Sequence, residues 1–186
     1  MKITTILSLL HKRYLPSVGI IILISISGCQ KATTSDVSQR DYPSGTLRDR
    51  IMEMYRDYAE EFPLVQGISV EELQQQQQEL VLVDVRSPEE IAVSFIPGAI
   101  TKEKLENNLD RYRSATVVVY CTIAYRSGKY ARKLRQQGIE ALNLEGSLLA
   151  WSHIGGKLVN KTGATKQIHV FSRQWQLTAE GYEPVW

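Results

Sequence analysis

Thr116-Val117-Val118-Val119-Tyr120-Cys121-Thr122-Ile123-Ala124-Tyr125-Arg126-Ser127 joins an apolar run to a short loop that closes on a basic residue and a hydroxyl. The run from Thr116 to Tyr120 is β-branched and lacks polar alternation, which suits a strand covered on both faces of a parallel sheet. Past the loop a helix is expected from Ser127 to about Gln137. Tyr130, Ala131 and Leu134 fall on its inner face, Lys129, Arg132, Lys133 and Arg135 lie outside, and Gly138 closes it. The strand signal repeats outward on both sides, in Leu80-Val81-Leu82-Val83-Asp84-Val85 and in Ala141-Leu142-Asn143-Leu144. Strand, helix and strand with a sharp turn after each strand predict an α/β fold, a single domain whose central parallel sheet is flanked by helices.

In such sheets ligands bind at the carboxyl ends of strands, which is where Cys121 falls. A loop this short must curl, so its amides point inward and form an anion-holding nest with the helix N-terminus. A thiol in such a nest is favoured as thiolate, the nucleophilic form. Arg126 adds fixed positive charge suited to an oxyanion. Cys121 and Arg126 are therefore the candidate catalytic residues. The loop amides from Thr122 through Ile123 and Ala124 to Tyr125 are expected to hold the charged sulfur, and Ser127 to cap the helix. The inert alternative for Cys121 is a small buried hydrophobe.

The surrounding motifs resemble those of rhodanese domains. Asp84-Val85-Arg86-Ser87-Pro88-Glu89-Glu90 is similar to their Asp-Val-Arg…Glu opening, and Ile96-Pro97-Gly98-Ala99 to their Ile-Pro-Gly-Ala turn. Cys121 to Arg126 is similar to their active-site loop. Leu144-Glu145-Gly146, Ala150-Trp151 and Gly155-Gly156 resemble their closing pattern, so the match runs from about Pro63 to Lys157. The resemblance implies sulfur transfer through a persulfide on Cys121, with no cofactor. The donor would be thiosulfate or a persulfide, and the acceptor a thiol or cyanide. It implies that Arg126 orients the donor, and Asp84, Arg86 and Glu90 read as structural support, with Arg86 expected to pair with Glu90. The loop is one residue shorter than in the phosphatases and arsenate reductases that share this fold, which favours sulfur over phosphate or arsenate. Several positions depart from the pattern: Thr122 stands where many members have Arg, Ala124 where many have Gly, Ser94-Phe95 where Gly-His precedes the Ile-Pro-Gly-Ala turn, and Ser147 where a second Gly is usual, while Tyr125 adds bulk at the mouth. A non-catalytic sulfur-carrier or redox-sensing binding module remains the alternative.

The ends read differently. Lys2 and His11-Lys12-Arg13 precede an apolar run from Val18 to Ile26 and then Ile26-Ser27-Gly28-Cys29. This is the form of a secretory signal, and its end resembles a bacterial lipobox. Residues 1–28 are expected to be a signal peptide, Cys29 the lipidation site and residues 29–43 a flexible tether. The expected product is a membrane-anchored lipoprotein facing the periplasm or extracellular side. Residues 44–62 are expected to form a helix that packs on the domain through Leu47, Ile51, Met54, Tyr58 and Phe62. Ser69 and Glu72 predict a capping box that opens a short helix into Gln74 to Gln78. The main domain is expected over 63–160 and a wrapping extension over 161–186, with an added strand near Ile168 to Phe171 and a packed Trp186. A partner-docking surface on this tail is the alternative. With 22 basic and 20 acidic residues the net charge is +2, which argues against a nucleic-acid partner. His153 and His169 lack metal-ligand spacing, and no metal site is expected.

Overall fold

The computed structural model describes residues 45–78 and 80–186. The expected signal peptide, Cys29 and the tether lie outside the described residues. In chain order the elements are α1 (Leu47–Glu60), β1 (Gly67–Ile68), α2 (Val70–Gln76), β2 (Val81–Asp84), α3 (Pro88–Val93), β3 (Ile100–Thr101) and α4 (Lys102–Glu106). Next come β4 (Val117–Tyr120), α5 (Tyr125–Gln136), β5 (Ala141–Leu144) and α6 (Ser147–His153). The last part holds β6 (Leu158–Asn160), β7 (Gly163–Thr165), β8 (Gln167–His169) and β9 (Glu183–Val185).

Five strands form one parallel sheet in the order β1-β5-β4-β2-β3. The central strand β4 has no exposed side chain because successive residues enter opposite layers. Val118 and Tyr120 join Ile51, Leu148, Leu149 and Ile168 on one side, under α1, α6 and the tail. Val117 and Val119 join Leu105, Ala131 and Leu134 on the other, under α4 and α5. Each such fully buried Val or Leu is worth about 1.5–3 kcal/mol. This double cover is why β4 reads as an unbroken apolar run. The loop after β4 is consequently fixed at the middle of the sheet's carboxyl edge.

The expected capping box stands at α2, where Ser69 accepts from the Glu72 amide and Glu72 accepts from the Ser69 amide. Equivalent boxes open α1, from Thr46 and Asp49, and α3, from Ser87 and Glu90 with Pro88 in the first turn. The inner face of α1 is broader than expected, with Met54 and Tyr58 packed half-buried against the same core as Ile51. Ile51, Met52 and Tyr55 are buried, whereas Leu47 is exposed and Phe62 is buried just beyond the helix. Leu47 lies in the first turn.

The tail packs back on the domain. The β6–β7 hairpin is antiparallel, β8 pairs with β9 in parallel, and Ile168, Val170, Leu177 and Tyr182 enter the same core as Trp151. The Tyr182 hydroxyl donates to the Gly156 carbonyl at 2.6 Å, and the Ala179 amide to Ser152 Oγ at 3.0 Å. Trp186 is not packed as expected. It is 54% exposed, with the Arg173 guanidinium 5.1 Å from its ring centroid, because β9 ends one residue earlier at the domain's edge.

Candidate active site

Cys121 comes directly after β4 and is 1% exposed. The Ala124 amide donates to Cys121 Sγ at 3.2 Å, and the Ser127 hydroxyl lies 3.6 Å from the sulfur. That curl requires Ala124 to sit at φ 84°, a left-handed conformation that costs a non-glycine residue about 1–2 kcal/mol. The surroundings hold it there. Asn143 Nδ2 and the Gly128 amide both donate to the Ala124 carbonyl, at 3.0 and 2.9 Å. The first amides of α6 fix the loop from the other side, Leu148 donating to the Cys121 carbonyl and Leu149 to the Thr122 carbonyl. The Cys121 amide in turn donates to Ser147 Oγ at 3.2 Å, and Ser147 Oγ donates to the Leu144 carbonyl at 3.2 Å.

The ion pairs differ from the expected ones. Arg86 does not pair with Glu90. It grips Asp84 through Nε and Nη2, and Nη2 also donates to the Ser94 carbonyl at 2.6 Å. Arg86 precedes the N-cap of α3, so the helical spacing that would bring it to Glu90 does not apply. Both side chains are buried. Glu90 instead receives Arg126, with Nη1 and Nη2 each 2.7 Å from one carboxylate oxygen. Burial pushes the Glu90 carboxyl up, but the Arg126 bonds, the Ser87 amide and the charges of Arg126 and Arg86 outweigh it and bring it down to about 2. The Glu90 bonds raise the Arg126 guanidinium above its ordinary value against the opposing effect of burial. Thr122 Oγ1 joins the pair, donating to Glu90 at 3.3 Å and accepting from Arg126 at 3.2 Å.

Thr122, Ile123, Tyr125 and Arg126 line a cavity of about 170 Å³ with Cys121. Ala124 and Ser127 lie beneath the sulfur, outside that lining. Ser127 does not cap α5: the helix starts at Tyr125 with Ala124 as a left-handed N-cap, and Ser127 is buried in its first turn. Two further residues close the cavity, Phe171 and Trp175 of the tail. Tyr125 packs against Tyr58 and Phe62, at ring centroid distances of 5.2 and 5.7 Å. Sequence reasoning missed Ser147 and Asn143 as supports of the loop, and Phe171 and Trp175 as its cover. It also missed the Ser87–Glu90 box that orients Glu90, although its Ser-x-x-Glu spacing is legible.

The model of the rhodanese-like domain matches residues 69–154. A sulfurtransferase of Allochromatium vinosum is 36% identical over 93 residues, which cover 46% of this chain and 84% of that protein. The chain belongs to the rhodanese-like family. An uncharacterized protein of Synechocystis is 36% identical over 108 residues, 56% of this chain, and the chain spans only 59% of that relative's length. A rhodanese-like domain protein from Staphylococcus aureus has a crystal structure that is similar with a TM-score of 0.42 and 31% identity, over 47% of this chain and 91% of that one.

Within this rhodanese-like domain the departures from the motif at Ala124, Ser147 and Thr122 have visible consequences. Ala124 keeps the left-handed geometry at an energetic cost. Ser147 does the same at φ 50° and places its hydroxyl under the Cys121 amide. Thr122 brings a neutral hydroxyl to the Glu90–Arg126 pair.

Proposed function

We propose that the protein is a sulfurtransferase that carries sulfane sulfur as a persulfide on Cys121. Family membership and the sulfurtransferase-named relative support a sulfur-transfer role. The single observation that carries the persulfide reading is the strand-end thiol with the Ala124 amide aimed at its sulfur from 3.2 Å. An inward N–H stabilises a terminal sulfur anion as it would a thiolate. In the first step the Cys121 thiolate attacks the outer sulfur of the donor. A new S–S bond forms and the donor's own bond to that sulfur breaks, its electron pair leaving with the donor body. In the second step cyanide or a thiolate attacks the outer sulfur of the persulfide, and the Cys121 thiolate leaves. Arg126 acts as a positioning residue whose charge is shared with Glu90, and Asp84 and Arg86 pair with each other at the end of β2 as structural support. Thiocyanate formation from cyanide and a sulfane donor by the full chain tests this. Turnover that is absent in Cys121→Ser is expected, and turnover that survives the substitution would refute it.

A sulfur-carrier reading is favoured by one feature, the burial of Cys121 at 1% exposure. A persulfide that forms but passes to no small acceptor would select it. The sequence Ile26-Ser27-Gly28-Cys29 supports a lipid anchor on Cys29 and a membrane-attached location outside the cytoplasm. Metabolic labelling with a fatty acid that is lost in Cys29→Ala tests this part.

A further inference from the structure

The lining of the Cys121 cavity restricts the donor more narrowly than the chemistry of the thiol does, a restriction that rests on Cys121 carrying the persulfide. The first restriction is charge. Among the described residues Arg126 is the one cation in the lining; both of its terminal nitrogens are engaged by Glu90 at 2.7 Å, and what remains of its charge acts on Cys121. Thr122, where many relatives of this fold carry a second Arg, turns its hydroxyl to the same carboxylate. The Ala124 amide and Arg126 can meet one developing negative charge at the sulfur, but a second charge entering this lining finds no further cation among the described residues. A buried charge without a partner is strongly disfavoured.

The second restriction is the apolar cover. Phe171 sits at φ 67°, and the Ser172 amide donates across it to the Val170 carbonyl at 2.8 Å. This is a γ-turn of the rare positive-φ hand. The Phe171 amide donates to His169 Nδ1 at 3.2 Å, and its ring meets Trp175 edge-on at 6.5 Å. The strained turn does not bury Phe171, which is 68% exposed. It sets an aromatic ring at the mouth over Cys121, beside Ile123 and Tyr125. Strain kept at a cavity mouth points to a function there. The third restriction is size. About 170 Å³ is well below a drug-sized site.

We infer that the donor is a sulfane sulfur on an apolar body of at most one negative charge, a single ring or short branched chain in size, and that Phe171 and Trp175 select it over inorganic thiosulfate. With a persulfide R–S–SH the Cys121 thiolate takes the outer sulfur, giving Cys121–S–SH and R–S⁻. The attacking sulfur is oxidised and the departing one reduced, with no further reactant.

The test uses the full chain and three probes of one chemistry: thiosulfate, methanethiosulfonate and benzenethiosulfonate. The last two carry a single charge, and each yields a sulfinate when its outer sulfur is taken. Persulfide formation on Cys121 is timed by intact mass, and each rate is divided by that of free cysteine with the same probe. The expected order is benzenethiosulfonate, methanethiosulfonate, thiosulfate, with about tenfold or more between the ends, the scale a small apolar pocket gives. In the double variant Phe171→Ser, Trp175→Ser the ratio of benzene to methane probe falls toward one, while the methane probe still reacts. Corrected thiosulfate rates equal to those of benzenethiosulfonate would overturn the inference and leave the persulfide reading standing, as would an unchanged ratio in the double variant. No labelling by any probe would overturn both.

Discussion

Replacing Glu90 by Gln isolates the charge of the Glu90–Arg126 pair while keeping shape and the cap on α3. The carboxylate, 4% exposed, accepts two bonds from Arg126 at 2.7 Å and one from the Ser87 amide at 2.9 Å. These partners bring its pKa from 4.5 to about 2 against the cost of burial. At 1.36 kcal/mol per tenfold change in proton affinity, that drop corresponds to about 3 kcal/mol. Arg126 is 40% exposed, so solvent screening reduces the expected loss to about 2 kcal/mol. For a chain of this length that is a fall in Tm of about 4–8 °C at pH 7. Because the folded pKa lies below the unfolded one, the stabilisation is full above about pH 4.5 and fades as the pH falls to about 2. Melting curves of wild type and Glu90→Gln should therefore differ at pH 7 and converge near pH 2. A difference that is absent at pH 7, or equally large at both ends, would refute the ion-pair account. The same variant releases the Arg126 charge toward the cavity, so persulfide formation from thiosulfate should rise relative to wild type.

Asp84→Ala should cost about 3–5 kcal/mol in urea titration because it strands a buried Arg86, whereas Asp84→Leu with Arg86→Met should recover most of that loss; a single-variant cost below about 1 kcal/mol would contradict the pairing. Gly146 and Gly138 both have positive φ, but a Cβ at Gly146 would lie 2.7 Å from Ala150 Cβ and from Ile51 Cγ2, while one at Gly138 meets nothing within 4 Å. Gly138→Ala should cost about 1–2 kcal/mol and Gly146→Ala about 1–3 kcal/mol more, and equal costs would argue against the steric contact. Ser69→Ala should remove about 1 kcal/mol by uncapping α2, read from the same titrations.

The strands that carry the site are legible because β2, β4 and β5 are covered on both faces, so burial is written into consecutive residues. The position of Cys121 comes from that alone. Short edge strands such as β1 and β3, of two residues each, carry too little periodicity to read. The start of α5 lies two residues before the expected one because its N-cap is Ala124, which has no capping side chain and leaves no mark. The Arg86–Glu90 pairing fails for a related reason. A four-residue spacing brings side chains together only inside a helix, and α3 begins after Arg86. The face of α1 spans two overlapping apolar stripes, Ile51-Met54-Tyr58 and Ile51-Met52-Tyr55, and how deeply each is buried is decided by the partner layer. Phe171 and Trp175 lie far along the chain from the loop they cover, and no local pattern announces such a long-range contact.

Intact mass of the full chain after exposure to a sulfane donor shows whether Cys121 carries sulfur. The wild type should gain one sulfur atom that cyanide or a reducing thiol removes, and Cys121→Ser should not gain it. A wild type that gains no sulfur from any donor, or a Cys121→Ser variant that gains it equally, would show that Cys121 is not the sulfur carrier.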